Sequence, residues 1–138
     1  MQCGKCKNTA VYSRKYSGES LCSTCFSNSI LRKMAKTISK YKMIKNNDLV
    51  CVGVSGGKDS LVLLDVLNKM SKTHNFRLFA VTIDEGIPGY RDEALKIVES
   101  FCAQLNIQHK VFSYKKLFDL TLEESLELRK DQKLSSCS

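Results

Sequence analysis

The sequence predicts an α/β protein, with a small cysteine-rich head and a basic helix placed before a parallel sheet. Three observations predict it. Two Cys-x-x-Cys pairs lie within residues 1–25. An apolar stripe at helical spacing follows them, opposite a stripe of lysine and arginine. Beyond Asn46-Asn47-Asp48, short β-branched runs alternate with helical runs, the pattern of parallel strands joined by helices. The expected segments are residues 1–26 for the head, 27–46 for the helix and 47–138 for the sheet domain.

Each element follows from a local pattern. Ile30, Leu31, Met34, Ile38, Tyr41 and Ile44 share one side of a helix over about residues 27–45, and Arg32, Lys33, Lys36 and Lys40 share the other. Leu49–Val54 reads as a fully buried strand. Residues 59–70 read as a helix with little polar surface, and 77–83 as a second strand. Residues 91–105 form an amphipathic helix with Leu95, Val98, Phe101, Cys102 and Leu105 inward, and Asp92 and Glu93 near its positive end. Residues 108–112 make a third strand. Thr121-Leu122-Glu123-Glu124 fits a capping box that opens a last helix. Cys51, in a strand, and Cys102, on an apolar helix face, read as packing residues. His74 and His109 have no metal-ligand spacing and read as a loop and a strand-edge residue.

Composition narrows the function classes. With 43% apolar and 26% charged residues, the 138-residue chain is neither collagenous nor of low complexity. It has no run of 18 apolar residues, so no membrane span is expected, and the opening Met1-Gln2-Cys3 has no apolar core of a secretory signal. A cytoplasmic location is therefore expected, where seven cysteines point to metal binding or catalysis rather than a disulfide framework. The net charge of +8 is uneven. Residues 1–47 hold ten Lys/Arg and one acid, Glu19, whereas residues 48–138 hold twelve Lys/Arg and thirteen acids. A basic head on a near-neutral body is suited to a polyanion such as RNA, and the alternative is a merely soluble surface.

Cys3-x2-Cys6 and Cys22-x2-Cys25, fifteen residues apart, have the spacing of a structural Zn²⁺ site. Each pair forms a turn that aims two thiolates at one point, and two turns complete a tetrahedron. Four sulfurs leave no open position, so the metal would stabilise rather than catalyse. Two accidental pairs or a redox dithiol are the alternatives.

The most informative stretch is Val52-Gly53-Val54-Ser55-Gly56-Gly57-Lys58-Asp59-Ser60. It follows a strand and opens a helix, so its backbone N–H groups converge on an anion. Gly56 and Gly57 permit close approach, Ser55 and Ser60 add hydroxyls and Lys58 adds charge. It is not a Walker A loop, because Gly53 is one residue too close to Gly57-Lys58 and Asp59 occupies the place of the Mg²⁺-binding hydroxyl. Ser-Gly-Gly-x-Asp-Ser resembles the PP-loop of the ATP pyrophosphatase superfamily, whose adenine nucleotide α-hydrolase-like domains cleave ATP between the α- and β-phosphates. With the head, the basic helix and Asp84-Glu85-Gly86-Ile87-Pro88-Gly89-Tyr90-Arg91, the chain resembles PP-loop tRNA 2-thiouridine synthetases. That group includes the archaeal and thermophile T-loop enzymes and the cytosolic wobble-uridine thiolases.

The resemblance implies ATP-dependent tRNA thiolation, in which the uridine C2 oxygen is adenylated, pyrophosphate is released and sulfur is then transferred. It assigns ATP to Ser55, Gly56, Gly57, Lys58, Asp59 and Ser60 with Mg²⁺, and adenosine to the backbone at Ile83. It makes Asp59 an orienting or metal-associated carboxylate, with a helix N-cap as the alternative. It aligns Cys137 with the first catalytic cysteine, against the alternative of a free tail thiol. A [4Fe–4S] cluster, which needs three thiolates, is implied only for a longer chain. Asp84 and Glu85 read either as an acid/base pair or as loop-positioning groups, and Tyr90 and Arg91 either as RNA contacts or as local packing. The implied partners are tRNA, met by Arg32, Lys33, Lys36 and Lys40, a sulfur-carrier protein or other sulfur donor, and a second copy in a homodimer. Relatives of this kind run to about twice this length, which implies an N-terminal piece of a longer enzyme. Two alternatives stay open: another PP-loop adenylating ligase, lysidine- or amide-forming, or a zinc-ribbon RNA-binding module without activity.

Overall fold

A computed structural model describes residues 1–86 and 89–127. The chain divides into two compact units, Met1–Lys45 and Asn46 onward. In the first, β1 (Tyr12–Ser13) pairs antiparallel with β2 (Ser20–Leu21), and α1 spans Ser23–Lys40. Its small core is Cys3, Leu21 and Cys22, with Phe26 packed against it. Phe26 also meets Tyr12, ring centroids 4.5 Å apart.

The helix begins earlier and ends earlier than its apolar stripe suggests. Cys22 is the N-cap, its Sγ accepting the Cys25 N–H at 3.5 Å, so the second Cys-x-x-Cys pair is itself the start of α1. At the other end Lys42 adopts φ +50°. Its N–H donates to the Ser39 carbonyl and that of Met43 to Ile38, which is a Schellman closure. Ile44 thus falls outside the helix.

Among the described residues, the second unit holds a three-stranded parallel sheet in the order β3 (Leu49–Gly53), β4 (Arg77–Asp84), β5 (His109–Ser113). The connecting helices α2 (Lys58–Ser71) and α3 (Tyr90–Leu105) pack against β4 and against each other, so both cover the same face. Val52, Val54, Ala80 and Thr82 lie under them with Leu64, Leu67, Val98 and Cys102. α3 stops where Asn106 turns left-handed, its N–H donating to Ala103 and that of Ile107 to Cys102.

The opposite face corrects one expectation. β3 is not fully buried: Leu49 is 56% exposed and Cys51 is exposed rather than packed. Among the described residues β3 is an edge strand, and its alternate residues point away from α2 and α3. A continuous apolar run could not reveal that only one of its faces is covered by these helices. Cys102, on the helix side, is buried as expected.

A short helix not visible in the sequence, α4 (Tyr114–Phe118), follows β5, with Ser113 as its N-cap. The last described helix, α5 (Leu122–Glu127), has the expected capping box. Thr121 N–H donates to Glu124 at 2.6 Å, and Glu124 N–H to the Thr121 hydroxyl at 3.2 Å. The Thr121 N–H holds the Glu124 carboxyl below its ordinary pKa.

Candidate functional site

The phosphate loop leaves β3 at Val54, whose N–H donates to the Val81 carbonyl at 2.8 Å. Ser60 closes the loop from inside the first turn of α2. Its hydroxyl donates to the Gly57 carbonyl at 2.9 Å and accepts the Ser55 N–H at 3.3 Å. The Ser55 hydroxyl accepts the Gly57 N–H at 3.5 Å. These bonds curl the backbone round the start of α2, where the first-turn N–H groups have no partners within the helix. That is a cradle for an anion, with the positive end of α2 behind it.

The two glycines differ. Gly56 has φ +90°, and a Cβ there would stand 2.9 Å from the Ala94 Cβ and 3.0 Å from the Ala94 carbonyl oxygen. Gly57 is the N-cap of α2 at φ −73°, and a Cβ would meet only the Ser55 Oγ, at 3.6 Å. Because Gly57 caps the helix, Asp59 does not. Asp59 sits inside the first turn, exposed beside Lys58, where its charge complements the helix dipole.

Ile83, at the carboxyl end of β4, is 44% exposed on the open face. With Cys51, Gly53, Val81 and Glu85 it lines a groove of about 300 Å³ that ends at Ser55. The groove thus joins an apolar strand end to the phosphate loop, an arrangement that can seat a flat ring at one end and charged oxygens at the other. Asp84 accepts the Gly86 N–H at 2.9 Å, which fixes the turn after β4. That contact makes Asp84 a loop-positioning group. Thr82 and Ala94, both beside the loop, carry no signal in a single sequence, because strand and helix positions reveal nothing of what they touch across the sheet.

The four expected metal ligands converge. The Sγ atoms of Cys3, Cys6, Cys22 and Cys25 lie within 4.8 Å of one another, and the Cys6–Cys22 separation is 3.5 Å. A tetrahedral Zn²⁺ with Zn–S of 2.3 Å needs S–S edges of ~3.8 Å, so the donor set fits one such ion. The Lys5 and Cys25 N–H groups point at the Cys3 and Cys22 sulfurs, at 3.4 and 3.5 Å, as second partners for ligating thiolates. Backbone donation around Cys22 lowers the Cys3 thiol to about 6. The neighbouring Cys22 sulfur raises Cys25 to about 12. Four crowded thiols cannot all ionise alone, and a divalent cation would reverse that.

On α1, Arg32, Lys33, Lys36 and Lys40 are exposed, whereas Ile30, Leu31, Met34 and Ile38 are half-buried. The head's lone acid is engaged elsewhere: Glu19 pairs with Arg14 at 2.8 Å and Lys5 at 3.3 Å. Cys137, Ile87, Pro88 and the side chains of Tyr90 and Arg91 lie outside the described residues.

A parallel sheet whose first strand delivers a Ser-Gly-Gly loop to a helix N-terminus is the α/β arrangement in which backbone N–H groups can meet an anion. The chain belongs to the PP-loop domain family, whose model matches residues 27–129. Residues 2–27 match the N-terminal LIM domain of 2-thiouridine synthetase TtuA. A probable sulfurtransferase of Methanocaldococcus jannaschii is 39% identical over 86% of this chain and 35% of its own length. Cytoplasmic tRNA 2-thiolation protein 1 of Dictyostelium discoideum is 37% identical over 83% of this chain and 32% of its own. Among solved structures, the U34-tRNA thiolase NcsA of Methanococcus maripaludis, which holds a [4Fe–4S] cluster, is similar with a TM-score of 0.79 and 37% identity, over 87% of this chain and 40% of that one. The chain spans about a third of the length of these curated relatives, less than the half expected. No helix among the described residues is long and apolar enough to cross a membrane.

Proposed function

We propose that the chain supplies the nucleotide site of a cytoplasmic, ATP-dependent tRNA 2-thiolating enzyme. The observation that carries this reading is the phosphate loop at the end of a groove running to Ile83. The relatives named for tRNA thiolation support the choice of substrate.

The uridine C2 oxygen is a poor leaving group. It attacks the α-phosphorus of ATP, the α–β anhydride bond breaks and pyrophosphate departs. Sulfur given up by the donor at the sulfide oxidation level then adds at C2, the C2–O bond breaks and the oxygen leaves with AMP. Ser55, Gly56, Gly57, Lys58 and Ser60 hold the phosphates and stabilise the charge that gathers on pyrophosphate. Asp59, exposed at the mouth, offers a carboxylate to Mg²⁺, which would offset phosphate charge. The backbone at Ile83 receives the adenosine, and Cys137 handles the sulfur that a donor protein delivers. The head binds Zn²⁺ to hold its shape, and α1 presents Arg32, Lys33, Lys36 and Lys40 to the tRNA backbone.

Mass spectrometry of nucleosides from tRNA of cells with and without the gene tests the reaction. The expected result is loss of a 2-thiouridine derivative. An unchanged thionucleoside profile would reject thiolation and favour an adenylating ligase. The RNA face has its own test in the salt dependence of tRNA affinity. Each phosphate contact contributes ~0.7–0.9 to the slope of log K against log salt, so replacing Lys33, Lys36 and Lys40 with glutamine should flatten it by about 2–3. An unaltered slope would remove α1 from the interface.

A further inference from the structure

Thr82 is 2% exposed and lies on the covered face of β4 beside Val52, Val54 and Ala80. A hydroxyl in such surroundings needs partners, and it has two. It donates to the Val54 carbonyl at 2.7 Å and lies 2.8 Å from the His109 Nε2. A threonine hydroxyl has one hydrogen. With that hydrogen on Val54, His109 must donate from Nε2, which fixes its tautomer. The bonds therefore run in one direction: from the first residue of β5, through a side chain of β4, to the backbone where β3 ends.

Val54 is the residue before the phosphate loop, and both of its backbone polar groups are held. The N–H is bonded to the Val81 carbonyl, and the carbonyl to Thr82. The direction of that carbonyl sets the Val54–Ser55 peptide plane. It thereby aims the Ser55 N–H, which donates to Ser60 and closes the loop. We propose that Thr82 and His109 are positioning residues that set the angle at which the phosphate loop leaves the sheet. Their expected effect on ATP rests on the reading of that loop as an ATP site.

The test pairs two measurements on the purified protein: backbone NMR shifts without ligand, and ATP–Mg²⁺ affinity by calorimetry. Thr82→Val keeps the shape and removes the hydroxyl, whereas Thr82→Ser keeps it. His109→Leu removes the donor, whereas His109→Gln replaces it. Thr82→Val and His109→Leu should displace the amide signals of Ser55, Gly56 and Gly57, leave those of Leu64, Leu67 and Val98 in place, and weaken ATP about five- to tenfold. Thr82→Ser and His109→Gln should restore both readouts. Lowered thermal stability with unmoved loop signals and unaltered affinity would overturn the proposal and leave only a structural contact. If the unsubstituted protein binds no ATP, the nucleotide reading fails, and the loop signals still decide positioning. Should Thr82→Val not fold, His109→Leu decides by the same two readouts.

Discussion

Gly56→Ala should weaken ATP binding by at least about tenfold, and past a hundredfold at the upper end, in a protein that remains folded. Gly56 sits at φ +90°, where an L residue costs about 1–3 kcal/mol. The added Cβ also meets the backbone of α3 at Ala94, 3.0 Å from its carbonyl oxygen, and backbone cannot swing aside as a flexible side chain does. A strain of that size is relieved more cheaply by shifting an exposed loop than by unfolding the sheet. The loop then no longer presents its N–H groups to phosphate. Gly57→Ala is the contrast, because its φ of −73° suits alanine and its Cβ has only an ordinary contact. Calorimetric titration of both variants with ATP, beside thermal melts, checks the difference. Equal losses would mean that Gly56 is not the hinge of the cradle.

Removing the metal should unfold the head and leave the sheet unit intact. The head's buried core is Cys3, Leu21 and Cys22, and its strands are two residues each, too little to offset the entropy of ordering the chain. Structural zinc contributes about 10–16 kcal/mol of apparent binding free energy in small domains, which is folding free energy there. Complete chelation should therefore abolish hydrogen-exchange protection over residues 1–26 and fray the first turn of α1, which Cys22 caps. Protection in β4 and in α2 should hold, since the second unit has its own core. Acid acts in the same direction, because metal binding displaces protons from thiols and lower pH restores them. Metal analysis should find one zinc per chain. Full protection of the head after complete chelation would rule out a structural metal.

Much of the site is legible in the chain because its signals are local. A Ser-Gly-Gly loop between a β-branched run and a helical run says where an anion can sit. Two Cys-x-x-Cys turns say where four thiols can meet. The strand and helix order follows from hydrophobic period, and the PP-loop family is carried by contiguous residues. Other features are less visible. The apolar stripe suggested a helix running to residue 45, yet a left-handed Lys42 ends α1 at Lys40. Unlike Asn106, which ends α3, a lysine that turns left-handed leaves no compositional mark. The alternative reading of Asp59 as a cap does not hold, because the helix begins at Lys58 and Gly57 takes that place.

The sequence by itself determined the class of fold, the phosphate loop and the four-sulfur site, because period, glycine placement and cysteine spacing act over a few residues. Only the tertiary structure decided which of these groups face one another. It exposed Cys51 and buried Cys102, since coverage of a strand depends on which face the distant helices α2 and α3 occupy. It set Ala94 against Gly56, two residues on different elements that meet only after the sheet forms. It also joined His109 to Thr82 and Val54, because parallel pairing brings three separate strands into register and gives a buried hydroxyl its partners.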